Sequence, residues 1–138
     1  MTPEQKSTQV VRIRATAWGS RLFRNNSGVL MNTAKIPVRF GLGNESKKLN
    51  KKIKSSDLIG ITPIEITPEM VGKTVGVFTA YEVKPVGFKK RETYSEKSRE
   101  FGQNNFINLI KKFGGIAGFT TNDHDVDLAV HEFKEGLK

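Results

Sequence analysis

No apolar run in this chain goes far before glycine, proline, asparagine or a charge interrupts it, so the fold must use short strands and amphipathic helices. The strongest strand-like stretch, Val75 to Lys84, carries Val75, Val77, Phe78, Tyr81 and Val83 and ends at Pro85 and Gly87. A membrane-spanning helix needs roughly 18 or more consecutive apolar residues, and none occurs, so no membrane partner is expected. Met1-Thr2-Pro3-Glu4 lacks an apolar leader core, and the expected location is the cytoplasm. The absence of cysteine excludes disulfides, thiolate nucleophiles and Cys-bound zinc. Two histidines, His124 and His131, are too few for a His-rich metal site and are expected on a helix surface.

At 138 residues, with no internal repeat and no Pro- or Ser-rich linker, residues 1–138 are expected to form one domain. Thr2-Pro3-Glu4 reads as a helix start, with a hydroxyl cap, proline in the first turn and an acid near the positive end of the dipole. Val10, Val11, Ile13, Ala15, Ala17 and Trp18 give that helix a broad apolar face, and Gly19 stops it. Arg21 to Arg24 and Lys35 to Phe40 read as strands, with a turn at Asn25-Asn26-Ser27-Gly28. Gly41 to Ser56 reads as a polar, lysine-rich connection without regular structure. Asp57 then introduces a short apolar strand through Ile61. Thr67-Pro68-Glu69 opens one helical turn, closed by Gly72. A helix is expected from about Ser95 to Phe113, with a stripe of Phe106, Ile107, Ile110 and Phe113. A strand from Ile116 to Phe119 and a last helix from Asn122 or Asp123 follow. This order predicts an α/β fold with a mixed central β-sheet flanked by helices.

Glu82 and Lys84 stand two apart on a strand, so they share one face, while Tyr81 and Val83 are expected to turn the other way into the core. Glu-x-Lys is common as a solvated ion pair worth under ~1 kcal/mol. Its place at the end of an apolar strand is less usual. If the strand behind Asp57 pairs with it, two carboxylates converge. Two carboxylates and the Val83 carbonyl form a hard-oxygen site suited to Mg²⁺, with Lys84 beside a bound water. Gln103 lies three and four positions before Phe106 and Ile107, on the inward stripe, and needs a hydrogen-bond partner there: backbone, an active-site group or a phosphate. Glu4 falls on the stripe of Val11 and Trp18; compensation of the helix dipole also accounts for it.

The segments from Arg21 to Gly28, from Ser55 to Gly60 and Tyr81-Glu82-Val83-Lys84, followed by Gln103, resemble the phage-type VRR-NUC nucleases, a branch of the PD-(D/E)xK superfamily. The resemblance spans roughly residues 21–119. It implies a restriction-endonuclease-like αβββαβ core and cleavage of DNA phosphodiesters dependent on Mg²⁺ or Mn²⁺. It further implies selectivity for branched DNA, as in Holliday-junction resolvases, and a homodimer. Carried across, the motif's acid is Asp57, its Glu-x-Lys is Glu82 and Lys84, its helix glutamine is Gln103, and Glu4 corresponds to the first-helix acid. Ser56 stands where the superfamily name has proline.

Lys and Arg number 23 against 14 Asp and Glu, a formal net charge of +9. Such an excess points to a polyanion. Arg21, Arg24, Lys47, Lys48, Lys51, Lys52, Lys89, Lys90 and Arg91 are the candidate phosphate contacts, and the resemblance adds Asn25 and Asn26. The rival reading is a non-catalytic basic DNA- or RNA-binding module in which Glu82 and Lys84 merely pair with each other.

Overall fold

A computed structural model describes residues 1–138. The chain divides into two compact units, Met1–Gly60 and Ile61–Lys138. It is a mixed α/β protein with four helices and small sheets, and no helix is long and apolar enough to cross a membrane.

Met1–Gly60 begins with α1, Pro3–Ala17. Thr2 caps it reciprocally: the Gln5 backbone N–H donates to the Thr2 hydroxyl at 3.1 Å, and the Thr2 N–H donates to Gln5 Oε1 at 2.8 Å. Strands β1 (Arg21–Arg24), β2 (Gly28–Met31) and β3 (Pro37–Phe40) follow, then α2 (Lys47–Lys52) and β4 (Leu58–Ile61). β1 pairs with β4, and β2 with β3 as an antiparallel hairpin. The hairpin turn is held by Asn32, whose Oδ1 accepts from the Ala34 and Ile36 N–H groups, both at 2.9 Å. At the hairpin's base Asn44 is 3% exposed. Its amide donates to the Gly28 and Phe40 carbonyls and accepts from Arg39, so a polar residue is the most enclosed member of this unit. Gly60 is required where β4 meets β1, because a Cβ there would overlap the Arg21 and Leu22 backbone.

Ile61–Lys138 contains one 3₁₀ turn (Pro68–Met70), then β5 (Thr79–Val83), α3 (Arg99–Lys112), β6 (Ile116–Thr120) and α4 (Asp123–Gly136). β5 and β6 pair in parallel, with Glu82 opposite Phe119, and α3 forms the crossover between them. Both α3 and α4 pack on β6. Ile61, Ile107, Ile110, Ala117 and Phe119 are the buried apolar residues, and Ile110 is fully enclosed. α3 ends through Gly114 in the left-handed region, φ +86°. A Cβ on the next residue, Gly115, would stand 2.6 Å from Ile110 and 2.8 Å from the Phe78 carbonyl.

Several sequence expectations change. The strands pair two by two and form no single central sheet, and β4 is joined to β1 instead of to β5. Gly28–Met31 is a strand, hidden in the sequence between two turn signals. The lysine-rich connection contains α2, capped by the Ser46 hydroxyl on the Leu49 N–H. The strand read as Val75 to Lys84 forms only over Thr79–Val83, since only that segment has β6 as a partner. α3 starts at Arg99, behind the Ser98 cap, because Ser95 to Ser98 close a turn of their own. α1 buries none of its residues; Val10, Ile13 and Trp18 are all more than half exposed.

Ile110→Ala should cost about 3 kcal/mol, within the range for emptying a fully packed aliphatic site, read as a lowered urea midpoint at unchanged slope. Asp125 gives a pH signature. The Thr121 backbone N–H, then its hydroxyl, then the Lys90 ammonium lower its pKa from 3.8 to about 2. A carboxylate depressed by folding stabilises the fold fully above pH 3.8 and loses that contribution as pH falls toward 2. Asp125→Asn should therefore lower the melting temperature at pH 6 and narrow its gap to the unsubstituted protein as pH drops from 4 to 2.

Candidate active site

The chosen residues fall into two groups, one in each unit. In Ile61–Lys138, the face of β5 bearing Glu82 and Lys84 is the covered one. Val83, expected in the core, is 75% exposed, while the Lys84 side chain is 11% exposed. α3 makes this inversion possible by presenting polar partners to a charged face. Gln103 Nε2 donates to Glu82 Oε1 at 2.6 Å, so the helix glutamine finds the Glu-x-Lys acid. The amide oxygen, Gln103 Oε1, is buried without a partner. Lys84 Nζ donates to Glu100 Oε1 at 3.2 Å, and its ammonium lies 5.4 Å from the Phe88 ring centroid and 5.7 Å from that of Phe119. A hydrogen bond from its own backbone N–H, then the Lys84 ammonium, hold the Glu100 carboxyl below its ordinary value. No ion pair joins Glu82 to Lys84. A cavity of about 300 Å³ opens beside Glu82 and Gln103, walled by Tyr81, Phe106 and Ile107.

In Met1–Gly60, five residues selected at distant points of the sequence line one cleft of about 230 Å³: Glu4, Arg24, Asn25, Asn26 and Asp57. Their convergence has a local cause. The Asn25 N–H donates to the Asp57 carbonyl at 2.9 Å, and its side-chain Nδ2 donates to the Ser56 carbonyl at 2.7 Å. Asn25 thus fastens the end of β1 to the entry of β4 and fixes where Asp57 leaves the chain. The Asp57 and Glu4 carboxylates belong to no ion pair.

The remaining candidates are basic and exposed. Arg21 lies on β1, Lys47, Lys48, Lys51 and Lys52 lie on α2, and Lys89 and Arg91 precede α3. Lys90 is paired with Asp125 at 3.1 Å. His124 and His131 are exposed on α4, as expected. The charge is divided unevenly. Met1–Gly60 has twelve Lys and Arg against three acids, the whole excess of +9, while Ile61–Lys138 has eleven of each.

No three acidic or histidine side chains gather into a ready metal cage. Mg²⁺ needs none, since it binds through one or two carboxylates and keeps several waters. Glu82 with the orphaned Gln103 oxygen beside it is a hard-oxygen donor set that suits such an ion. No protein-family model, curated protein or solved structure matches this chain.

Two residues that the sequence reading passed over belong with these groups. Glu100 precedes Gln103 by three positions, so it shares that helical face, and the spacing was there to be read. Arg12 continues the row of Glu4 and Thr8 at four-residue intervals and reaches the Asp57 cleft. Asn25→Ala should cost about 1 kcal/mol through loss of the bond to Ser56. Asn26→Ala, exposed and without such a bond, should stay within about 0.5 kcal/mol of the unsubstituted protein in the same melts.

Proposed function

We propose that this chain is a metal-dependent endonuclease that hydrolyses DNA phosphodiesters, with branched DNA such as four-way junctions as its substrate. The observation that carries this reading is the cleft that gathers Glu4, Arg24, Asn25, Asn26 and Asp57 from separated segments of the sequence. The Gln103–Glu82 bond supports it independently. The parallel β5–α3–β6 crossover supplies the last βαβ part of the αβββαβ core implied by the resemblance to VRR-NUC nucleases.

In this reading Glu82 and the Val83 carbonyl are the metal ligands of Ile61–Lys138, and Asp57 and Glu4 those of Met1–Gly60. Bound Mg²⁺ or Mn²⁺ would polarise the phosphate and acidify a water. Gln103 holds the Glu82 carboxylate in one orientation. Lys84 uses one ammonium donor on Glu100 and keeps others for the attacking water and the negative charge that builds on phosphorus. Water oxygen forms the new P–O bond as solvent takes its proton, one P–O ester bond breaks, and the departing sugar oxygen gains a proton from solvent. A monomer carries one Glu82–Lys84 pair, so paired cuts across a junction call for a homodimer.

A second reading, a non-catalytic basic nucleic-acid-binding module, is favoured by the charge excess, all of which lies in Met1–Gly60. Digestion of synthetic junctions separates the two. With Mg²⁺ the unsubstituted protein should cut, while Asp57→Ala, Glu82→Ala and Lys84→Ala should each lose on the order of 100-fold or more in rate and still bind in EDTA. Binding with no cleavage of junction, flap or duplex in Mg²⁺ or Mn²⁺ would leave only the second reading.

A further inference from the structure

We propose that Arg12 is a phosphate-positioning residue, the preset prong of a clamp that it forms with Arg24 around a nucleic-acid phosphodiester in the Met1–Gly60 cleft. The inference rests on the nucleic-acid-binding part of the function proposed above. Glu4, Thr8 and Arg12 succeed one another at four-residue spacing, so one polar face of α1 forms a cleft wall. Arg12 Nη2 donates to the Leu22 carbonyl at 3.1 Å. That bond anchors one guanidinium nitrogen on β1 and leaves the other N–H donors unengaged, which reduces the ordering entropy lost when a phosphate binds.

The charges lining the cleft form no ion pairs, in either sign. Glu4 and Asp57 are two of only three acids in this unit, and Arg12 and Arg24 share the cleft with them. No ion pair within 4.0 Å joins any of the four. Opposite charges lining one cleft without pairing leave room for a ligand that answers both, an anionic phosphate accompanied by a cation. Guanidinium matches phosphate through paired N–H donors, which lysine cannot reproduce. Because the entire +9 excess lies in this unit, the phosphate assigned to the cleft is one of a polyanionic strand.

Fluorescence anisotropy with a labelled four-way junction in EDTA tests this without requiring cleavage. Across 50–200 mM KCl, Arg12→Gln should weaken binding by about 10-fold and reduce the log–log salt slope by about one. Arg12→Lys should keep the slope and weaken binding a few-fold, because charge remains while the fork is lost. A tether serving only the fold would lower the melting temperature and leave the slope untouched. Unchanged affinity and slope in a folded Arg12→Gln overturn the clamp; if that variant does not fold, unchanged affinity of Arg12→Lys does so. Failure of the unsubstituted protein to bind the junction at all instead removes the nucleic-acid reading on which the clamp depends.

Discussion

A charged side chain that loses contact with water must gain a partner, and this requirement organises the Ile61–Lys138 unit. β5 turns Glu82 and Lys84 toward covering structure and leaves Val83 in solvent, the reverse of what apolar patterning alone would choose. The arrangement is tenable because α3 brings Gln103 to one charge and Glu100 to the other, one helical turn apart. Phe88 and Phe119 accept the lysine stem and ammonium. Strand, crossover helix and return strand are therefore bound together by polar recognition as well as by the small core around Ile110.

In Met1–Gly60 two neutral amides take over this work, mostly on backbone partners. Asn44 satisfies the carbonyls at the hairpin base, and Asn25 satisfies those at the entry to β4. Asparagine suits both places because its amide donates and accepts within a short reach. The unit has little apolar interior, and its charged residues stand free of one another around a cleft. Free charges are poor ballast for a fold and good material for binding.

Local chemistry made much of this legible. Thr2-Pro3 at the start of α1, the start of α4 at Asn122 and Asp123 and the Gly114 stop of α3 are short-range signals, and the structure forms each as read. The stripe of Ile107 and Ile110 was equally clear. What escaped depends on partners outside the window being read. α2 is polar all round, so it has no apolar period, and only its Ser46 cap marks it. β5 is shorter than its β-branched sequence because strand length is set by the neighbour it pairs with. The facing of Val83 and Lys84 depended on what α3 carries. Among the site residues, Gln103 was legible from its place in a stripe, whereas Arg12 was concealed because an arginine on a helix reads as solvent-facing.

The division of charge between the units bears on how an encounter would begin. A polyanion approaching from a distance feels the basic half long before the neutral half exerts any net pull. That pull acts on the unit that carries Asp57 and leaves the other without net attraction, so added salt would slow arrival at Met1–Gly60 alone.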